Sequence, residues 1–341
     1  MDKRIVYLCR NTKAMKHITI LVPEGEGNNL SSIVGTYKIL SRANACYMEN
    51  GGNRPYQIEL AGISKQVMYY DGLFSVNVQK DISDIAKTDL IIIPSLNHEY
   101  DKAVKQNQKL IGWIVDQYKN GAAIASICTG AFLLASSGLL DGKQCSTHWA
   151  AIDNFRAAFP KVDVKPDKLI TEEGDIYTNG GAYSFLNLVI YLVEKYFDRP
   201  TAIFCSKVFQ IEMDRDSQSP FIIFKGQKSH EDDVVMEAQT FIEAHYDEKI
   251  SFEDLSQRLA VGRRNFDRRF IKETGNTPLE YMQRVRIERA KKAFEVSRKT
   301  INEVMYEVGY SDVKAFREVF RKVTGMSPLE YRKKYNKEAL S

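Results

Sequence analysis

Short apolar runs rich in isoleucine and valine alternate, over the first two hundred residues, with longer stretches whose apolar positions recur every three or four residues. HITILVP, YQIELAGIS, TDLIIIPS and AAIASI have the length and composition of buried strands. LSSIVGTYKILSRAN and YDKAVKQNQKLIGWIVDQYKN have helical spacing. This alternation predicts a parallel sheet covered by helices, because each parallel strand must be reached by a crossover. KLITEEGDIYTNGG predicts a hairpin, and the helix AYSFLNLVIYLVEKYF that follows it closes the domain.

The pattern then changes. DRDSQSPFIIFKGQKSHEDD is polar and turn-rich and predicts an interdomain linker over 213–233, with FIIF docked on one of the domains. From 234 to 337 the periodicity is helical only. Two segments in that region, FDRRFIKETGNTPLEY and FREVFRKVTGMSPLEY, match at an offset of fifty residues. A solenoid needs more copies than two, so the repeat predicts two similar helical subdomains side by side.

Composition is that of an ordinary globular chain, with 44% hydrophobic and 27% charged residues. No apolar run is long enough for a membrane span and no secretory signal is readable, which places the expected location in the cytoplasm. Five scattered cysteines without a C-x-x-C pair argue against a disulfide framework and against a metal site, and no cofactor is expected. The net charge of +4 conceals an asymmetry: residues 249–341 carry 22 Lys and Arg against 13 Asp and Glu, whereas the rest of the chain is net acidic. A basic excess confined to one end suggests a polyanionic partner for that end.

Each copy of the repeat reads as a short helix, a tight turn and a second helix. In the first, Ser251 caps SFEDLSQRLA, Val261-Gly262 makes the turn, and Phe266 and Phe270 bury one face of the next helix. Arg263, Arg264, Asp267 and Arg268 are left on the other face near its start, where a recognition helix meets base edges. In the second, Asp312 caps a helix exposing Val313, Lys314, Arg317 and Glu318. PLEYMQRVRIERAKKAF is a linking helix carrying Arg284, Arg286, Arg289, Lys291 and Lys292. A solvated basic bundle is the plainer alternative.

Candidate chemistry in the first domain centres on AIASICTGAFLLASSGLL. Here Cys128 stands between a strand and a helix, the geometry of a nucleophile elbow. At a helix N-terminus a thiol is expected to ionise more readily, with backbone donors ready for an oxyanion. The alternative is a packed cysteine among small residues.

Residues 234–337 resemble the AraC/XylS-type DNA-binding domain, whose marks stand in VGYSDVKAFREVFRKVTGMSPLEYRK. The resemblance implies base-facing roles for Arg264, Asp267 and Arg268 in one recognition helix, and for Val313, Lys314, Arg317 and Glu318 in the other. SICTGAFLLASSGLLDGKQCSTHWA resembles the class I glutamine-amidotransferase-like (DJ-1/PfpI-like) superfamily, as found in GlxA-type regulators, over residues 16–212. It implies a flavodoxin-like α/β sheet domain followed by an all-α double helix-turn-helix domain. Cys128 takes the elbow position and His148 is the histidine that follows. Where enzymatic relatives place a carboxylate, this chain has Ser32 or Asn29, while Glu24 and Glu26 are out of register. No catalytic residue is therefore expected: Cys128 and His148 are vestigial candidates, and Cys128, Thr129, His148, Asn29 and Ser32 are expected to line a ligand pocket. The implied function is a sequence-specific regulator that binds double-stranded DNA and a small-molecule effector, with RNA polymerase as a further partner, a homodimeric state and no membrane association. Two alternatives stay open, an active cysteine amidase or hydrolase and a redox sensor acting through Cys128.

Overall fold

The computed structural model describes residues 17–25, 28–52, 55–96, 98–228 and 230–336. Cys9, Glu26 and Lys337, on which parts of the sequence reading fall, lie outside the described residues. Contacts divide the chain into two compact units between Gln218 and Ser219.

The strands of the first unit are β1 (His17–Leu21), β2 (Gln57–Gly62), β3 (Gln66–Tyr69), β4 (Phe74–Asn77), β5 (Lys80–Asp81), β6 (Leu90–Ile93), β7 (Ala123–Ile127), β8 (Gln144–Cys145), β9 (Asp163–Val164), β10 (Ile170–Glu173) and β11 (Ile176–Asn179). Its helices are α1 (Leu30–Glu49), α2 (Tyr100–Gln106), α3 (Gln108–Lys119), α4 (Ala131–Ser136), α5 (Ile152–Ala158), α6 (Phe185–Tyr196) and α7 (Arg199–Phe209). Seven strands form one sheet in the order β10-β11-β7-β6-β1-β2-β5, parallel throughout except for the β10–β11 hairpin. Because side chains alternate along a strand, the all-apolar run of β6 supplies both faces. Leu90 and Ile92 pack with Ile33 and Leu40 of α1 and Leu188 of α6, and Ile91 and Ile93 pack with Leu110 of α3 and Leu133 of α4 on the opposite side.

The single helix expected over 100–120 is two. Asn107 leaves helical geometry, and its buried side chain accepts from the Glu24 backbone N–H at 2.8 Å and donates to the Glu24 carbonyl at 3.0 Å. The break pins the loop after β1, a partner 83 residues away that no local pattern announces. The expected linker is also not a free tether. In the first unit the Leu169 N–H donates to the Asp216 carbonyl and the Gln218 N–H to the Asp167 carbonyl, while the described residues from Ser219 onward belong to the second unit.

The second unit contains α8 (Asp233–Ala244), α9 (Phe252–Arg258), α10 (Arg263–Thr274), α11 (Pro278–Val296), α12 (Ile301–Glu307), α13 (Val313–Thr324) and α14 (Pro328–Tyr335). It has two small cores, one around Phe266 and Phe270, the other around Phe316 and Phe320. α11 belongs to both, giving Tyr281, Met282 and Val285 to the first and Ile287, Ala290 and Phe294 to the second. Two of the five cations read along this helix are buried. Arg286 donates to the carbonyls of Tyr246 and Glu248, and Lys291 to Glu288 and the Ile222 carbonyl. They hold the unit together rather than extending its basic surface.

Candidate functional sites

β7 ends at Ile127 and the chain turns at Cys128, whose φ of 55° is the left-handed conformation that non-glycine residues hold at a cost of about 1–3 kcal/mol. A one-turn 3-10 segment, Cys128–Gly130, leads into α4. Gly130 must be small: a Cβ there would lie 2.5 Å from the Pro94 carbonyl oxygen. The elbow predicted from the sequence is therefore present, and its strain is that of a chain forced to turn sharply at the carboxyl edge of the sheet.

Its surroundings are hydroxyls and amides. Thr129 Oγ1 accepts from the Leu96 N–H at 3.0 Å, donates to the Leu96 carbonyl at 2.9 Å and lies 2.9 Å from Ser95 Oγ. Ser32 Oγ accepts from the Ser95 N–H at 3.1 Å and donates to the Asn29 carbonyl at 2.7 Å, and the Asn29 N–H donates to the Ser95 carbonyl. Four of the five expected pocket residues, Cys128, Thr129, Ser32 and Asn29, are thus joined through Ser95. Sequence reasoning missed Ser95, although its place just after β6 was a signal. Ser32 Oγ thereby ties the loop after β1 to the loop after β6.

The thiol does not have the low pKa expected of a helix N-terminus. Cys128 is 4% exposed, and burial pushes it up, with hydrogen bonds from Ser95 and Thr129 only partly offsetting the loss of solvation. His148 is half-buried at the start of the turn Trp149–Ala151, where its Nδ1 accepts from the Ala150 N–H at 3.1 Å. Burial lowers its pKa, and nearby His98 lowers it further. Both shifts favour neutral thiol and neutral imidazole over the thiolate–imidazolium pair of a cysteine nucleophile. Tyr100, also missed, is pushed up to about 12 by burial and by its proximity to Cys128, and its hydroxyl lies 3.2 Å from His98 Nδ1. Among the described residues no group of three His, Cys, Asp or Glu side chains gathers as a set of metal ligands. The elbow can pack and hydrogen-bond.

The second unit presents a different surface. On α10, Arg264 and Arg268 are exposed. Arg263 and Asp267 are half-buried and satisfy each other, with Arg263 Nε 2.9 Å and 3.0 Å from the two carboxylate oxygens. Arg268 Nη2 donates to Asn265 Oδ1 at 3.0 Å. On α13, Lys314, Arg317 and Glu318 are exposed, Val313 packs at the core edge, and Asp312 Oδ1 caps the helix by accepting from the Ala315 N–H. Arg269 was not singled out in the sequence. Its fork donates to both carboxylate oxygens of Asp232, at 2.8 and 2.7 Å, fixing α10 against the start of α8.

Residues 19–195 match the model of the DJ-1/PfpI family and residues 255–334 that of a helix-turn-helix domain. The HTH-type transcriptional regulator GbdR of Pseudomonas aeruginosa is 26% identical over 217 residues, which cover 63% of this chain and 59% of GbdR; the chain thus spans about three fifths of that relative's length. The HTH-type transcriptional regulator GlxA of Rhizobium meliloti is 23% identical over 63% of this chain and 66% of its own. Isonitrile hydratase of Pseudomonas putida is 26% identical over 117 residues, 34% of this chain and 48% of that enzyme. Among solved structures, a protein from Vibrio parahaemolyticus superposes with a TM-score of 0.51 at 22% identity, over 57% of this chain and 98% of that one, a likeness of fold. Among the described residues no helix is long and apolar enough to cross a membrane.

Proposed function

The chain belongs to the DJ-1/PfpI family and carries an AraC-type helix-turn-helix domain, and from that premise we propose that it is a sequence-specific DNA-binding transcriptional regulator whose first unit senses a small molecule without transforming it. The observation that carries the proposal is the pair of recognition helices, each seated on its own phenylalanine core and each presenting exposed basic side chains at its start. Arginine forks in that position match the O6 and N7 acceptors of guanine in the major groove, and lysines hold phosphates. Double-stranded DNA is the primary partner in this reading, bound in the cytoplasm by a homodimer that works with RNA polymerase. The test is titration of the full chain with DNA selected for binding. Affinity should fall steeply with salt, as it does when several cations displace counterions; salt-independent affinity would remove the electrostatic argument.

For the first unit, the buried neutral thiol, together with Ser32 or Asn29 where the resemblance would place an acid, favours a non-catalytic role. Of the expected pocket residues only Asn29 and His148 are half-exposed, so the elbow itself offers little surface to an effector. The strained φ of Cys128 and the isonitrile hydratase relative favour a second reading, an enzyme. Iodoacetamide separates the two. A thiol whose pKa is raised in the folded state stays protonated at neutral pH. Cys128 should then be alkylated at pH 8 more slowly than in the denatured chain. Its contribution to stability is present below the ordinary thiol range and is lost as pH rises through the raised folded value, and buried Cys145, pushed up to about 12, adds in the same direction. Rapid labelling at pH 7, with turnover lost in Cys128→Ala, would favour the enzyme.

A further inference from the structure

α11 gives residues to both small cores of the second unit, Tyr281, Met282 and Val285 to one and Ile287, Ala290 and Phe294 to the other. A helix shared in this way fixes how far apart the two helix-turn-helix copies stand. It does not by itself fix how each copy is turned about it, because each seat is small and long helices curve. Where α11 passes from one core to the other, the charged side chains of Arg286, Glu288 and Lys291 are buried. A buried ion pair can often be replaced by apolar residues of like size without loss of stability, so stability alone gives no reason for charge at this point of the helix.

The three residues lie on two faces. At 3.6 residues per turn, Arg286 stands about 140° around the axis from Lys291 and about 160° from Glu288. On its own face Arg286 donates to the Tyr246 carbonyl at 2.6 Å and the Glu248 carbonyl at 2.8 Å, both in the connection between α8 and α9 of the first copy. Its guanidinium also lies 5.2 Å from the ring centroid of Tyr310, which packs in the second core. Gly309, at φ 79°, lets the two copies approach here, since a Cβ would stand 2.5 Å from the Asp247 carbonyl oxygen.

On the other face runs a strap, residues 219–228, which belongs wholly to the second unit. It starts on the second copy. A 3-10 turn, Ser219–Phe221, packs against α13, the Pro220 carbonyl accepts from the Tyr335 hydroxyl at 3.3 Å, and Lys334 Nζ lies 4.9 Å from the centroid of the Phe221 ring. It crosses α11 at the ion pair: Lys291 Nζ donates to the Ile222 carbonyl at 2.6 Å and to Glu288 at 2.7 Å, and the same Glu288 oxygen accepts from the Phe224 N–H at 3.1 Å. It ends on the first copy. The Phe224 ring meets Tyr281 edge-on, 5.2 Å between centroids, the Gln227 carbonyl accepts from Gln239 of α8 at 2.7 Å, and Lys228 pairs with Glu243 at 2.7 Å. Gly226, at φ 76°, passes so close to α11 that a Cβ would stand 2.5 Å from the Tyr281 hydroxyl.

We propose that Arg286 and the strap, gripping α11 from opposite faces, are positioning elements that set how the two recognition helices are turned relative to each other, and thereby the spacing of half-sites that the protein accepts. The inference rests on the DNA-binding reading and adds to it a specificity role for residues outside both recognition helices. Each base pair added between the half-sites turns the second by about 35° around the DNA axis, a full turn being about 10–10.5 base pairs. Copies clamped on both sides of their shared helix resist following that rotation. Copies released on one side follow it.

The test uses the full chain, the duplex it enriches from randomised DNA, and the same duplex with one, two or three base pairs added between the half-sites. The quantity read is the ratio of affinities for the original and the expanded spacing, which a loss of folded protein leaves unchanged. In the unaltered chain two added base pairs should lower affinity by about tenfold, within the range of losses caused by one mismatched base pair. Phe224→Ala, at a half-buried position, should shrink that ratio to about twofold, below the range of a single mismatch, and so should the paired Glu288→Gln and Lys291→Met, which removes both buried charges of the strap face together. Arg286→Lys, which keeps the charge but not the fork that spans two carbonyls, should shrink it in the same direction. All three should keep the base preference within each half, since no side chain of a recognition helix is altered. A ratio unchanged in both strap variants overturns the strap, and one unchanged in Arg286→Lys overturns the opposite grip. A ratio near one in the unaltered chain overturns the inference and leaves the DNA-binding reading standing, whereas enrichment of no sequence removes that reading itself.

Discussion

The two helix-turn-helix copies are nearly the same inside and opposed outside. Within, Thr274 and Thr324 each donate to the carbonyl four residues back, Phe270 or Phe320, and each is followed by a left-handed glycine, Gly275 at φ 67° or Gly325 at 73°. Tyr281 and Tyr331 each donate to a glutamate, Glu243 or Glu295, at 2.6 Å. Outside, the same register gives Arg263 against Val313, Arg264 against Lys314, Asp267 against Arg317 and Arg268 against Glu318. Two of the four positions exchange the sign of their charge. A fold can be copied with its core and caps while its exposed face is rewritten, because the core answers to packing and the face only to what it touches. In the proposed function the first copy reads bases and the second holds the backbone.

The comparison breaks most severely if the cores are not equivalent. Phe270→Ala and Phe320→Ala should each cost about 3–5 kcal/mol by denaturant unfolding, as expected for a phenylalanine removed from a closed core. A mild loss in only one copy would show that the two are not independent repeats of one solution. Next in size is the face: Arg268→Ala should forfeit about 1–3 kcal/mol of discrimination at one half of the site. Smaller and matched effects should follow from Tyr281→Phe and Tyr331→Phe, about 1.5 kcal/mol each for a hydrogen bond to a charged group, read as paired shifts in unfolding midpoint. Smallest of all, Lys314→Ala should weaken every DNA sequence about equally and flatten the salt slope by about one.

Much of this was legible in the chain. The four-residue run LIII had to be a strand buried on both faces, and the fifty-residue repeat had to be two copies of one unit, because both follow from local period and identity. The elbow too was legible as geometry. Its chemistry was not, since the state of the Cys128 thiol depends on how deeply the turn is buried against Ser95 and Tyr100, which the loop after β6 and the start of α2 bring there. The same reason hid the helix break at Asn107, which answers to Glu24, and the burial of Arg286 and Lys291, which answer to carbonyls of Tyr246, Glu248 and Ile222. The hydrogen bonding of the expected linker was hidden for a related reason. Polar composition marks a segment that needs hydrogen bonds, and says nothing of whether water or protein supplies them.

The most direct test is selection from randomised DNA by the full chain, in parallel with Arg268→Ala and Lys314→Ala. The unaltered protein should enrich two half-sites about one helical turn apart on the same face, since α11 fixes the spacing of the two copies. Arg268→Ala should lose the base preference in one half and keep the other, while Lys314→Ala should enrich the same sequence with lower yield. Enrichment of no sequence would contradict the account at its centre, and a preferred sequence left intact by Arg268→Ala but altered by Lys314→Ala would reverse the roles assigned to the two copies.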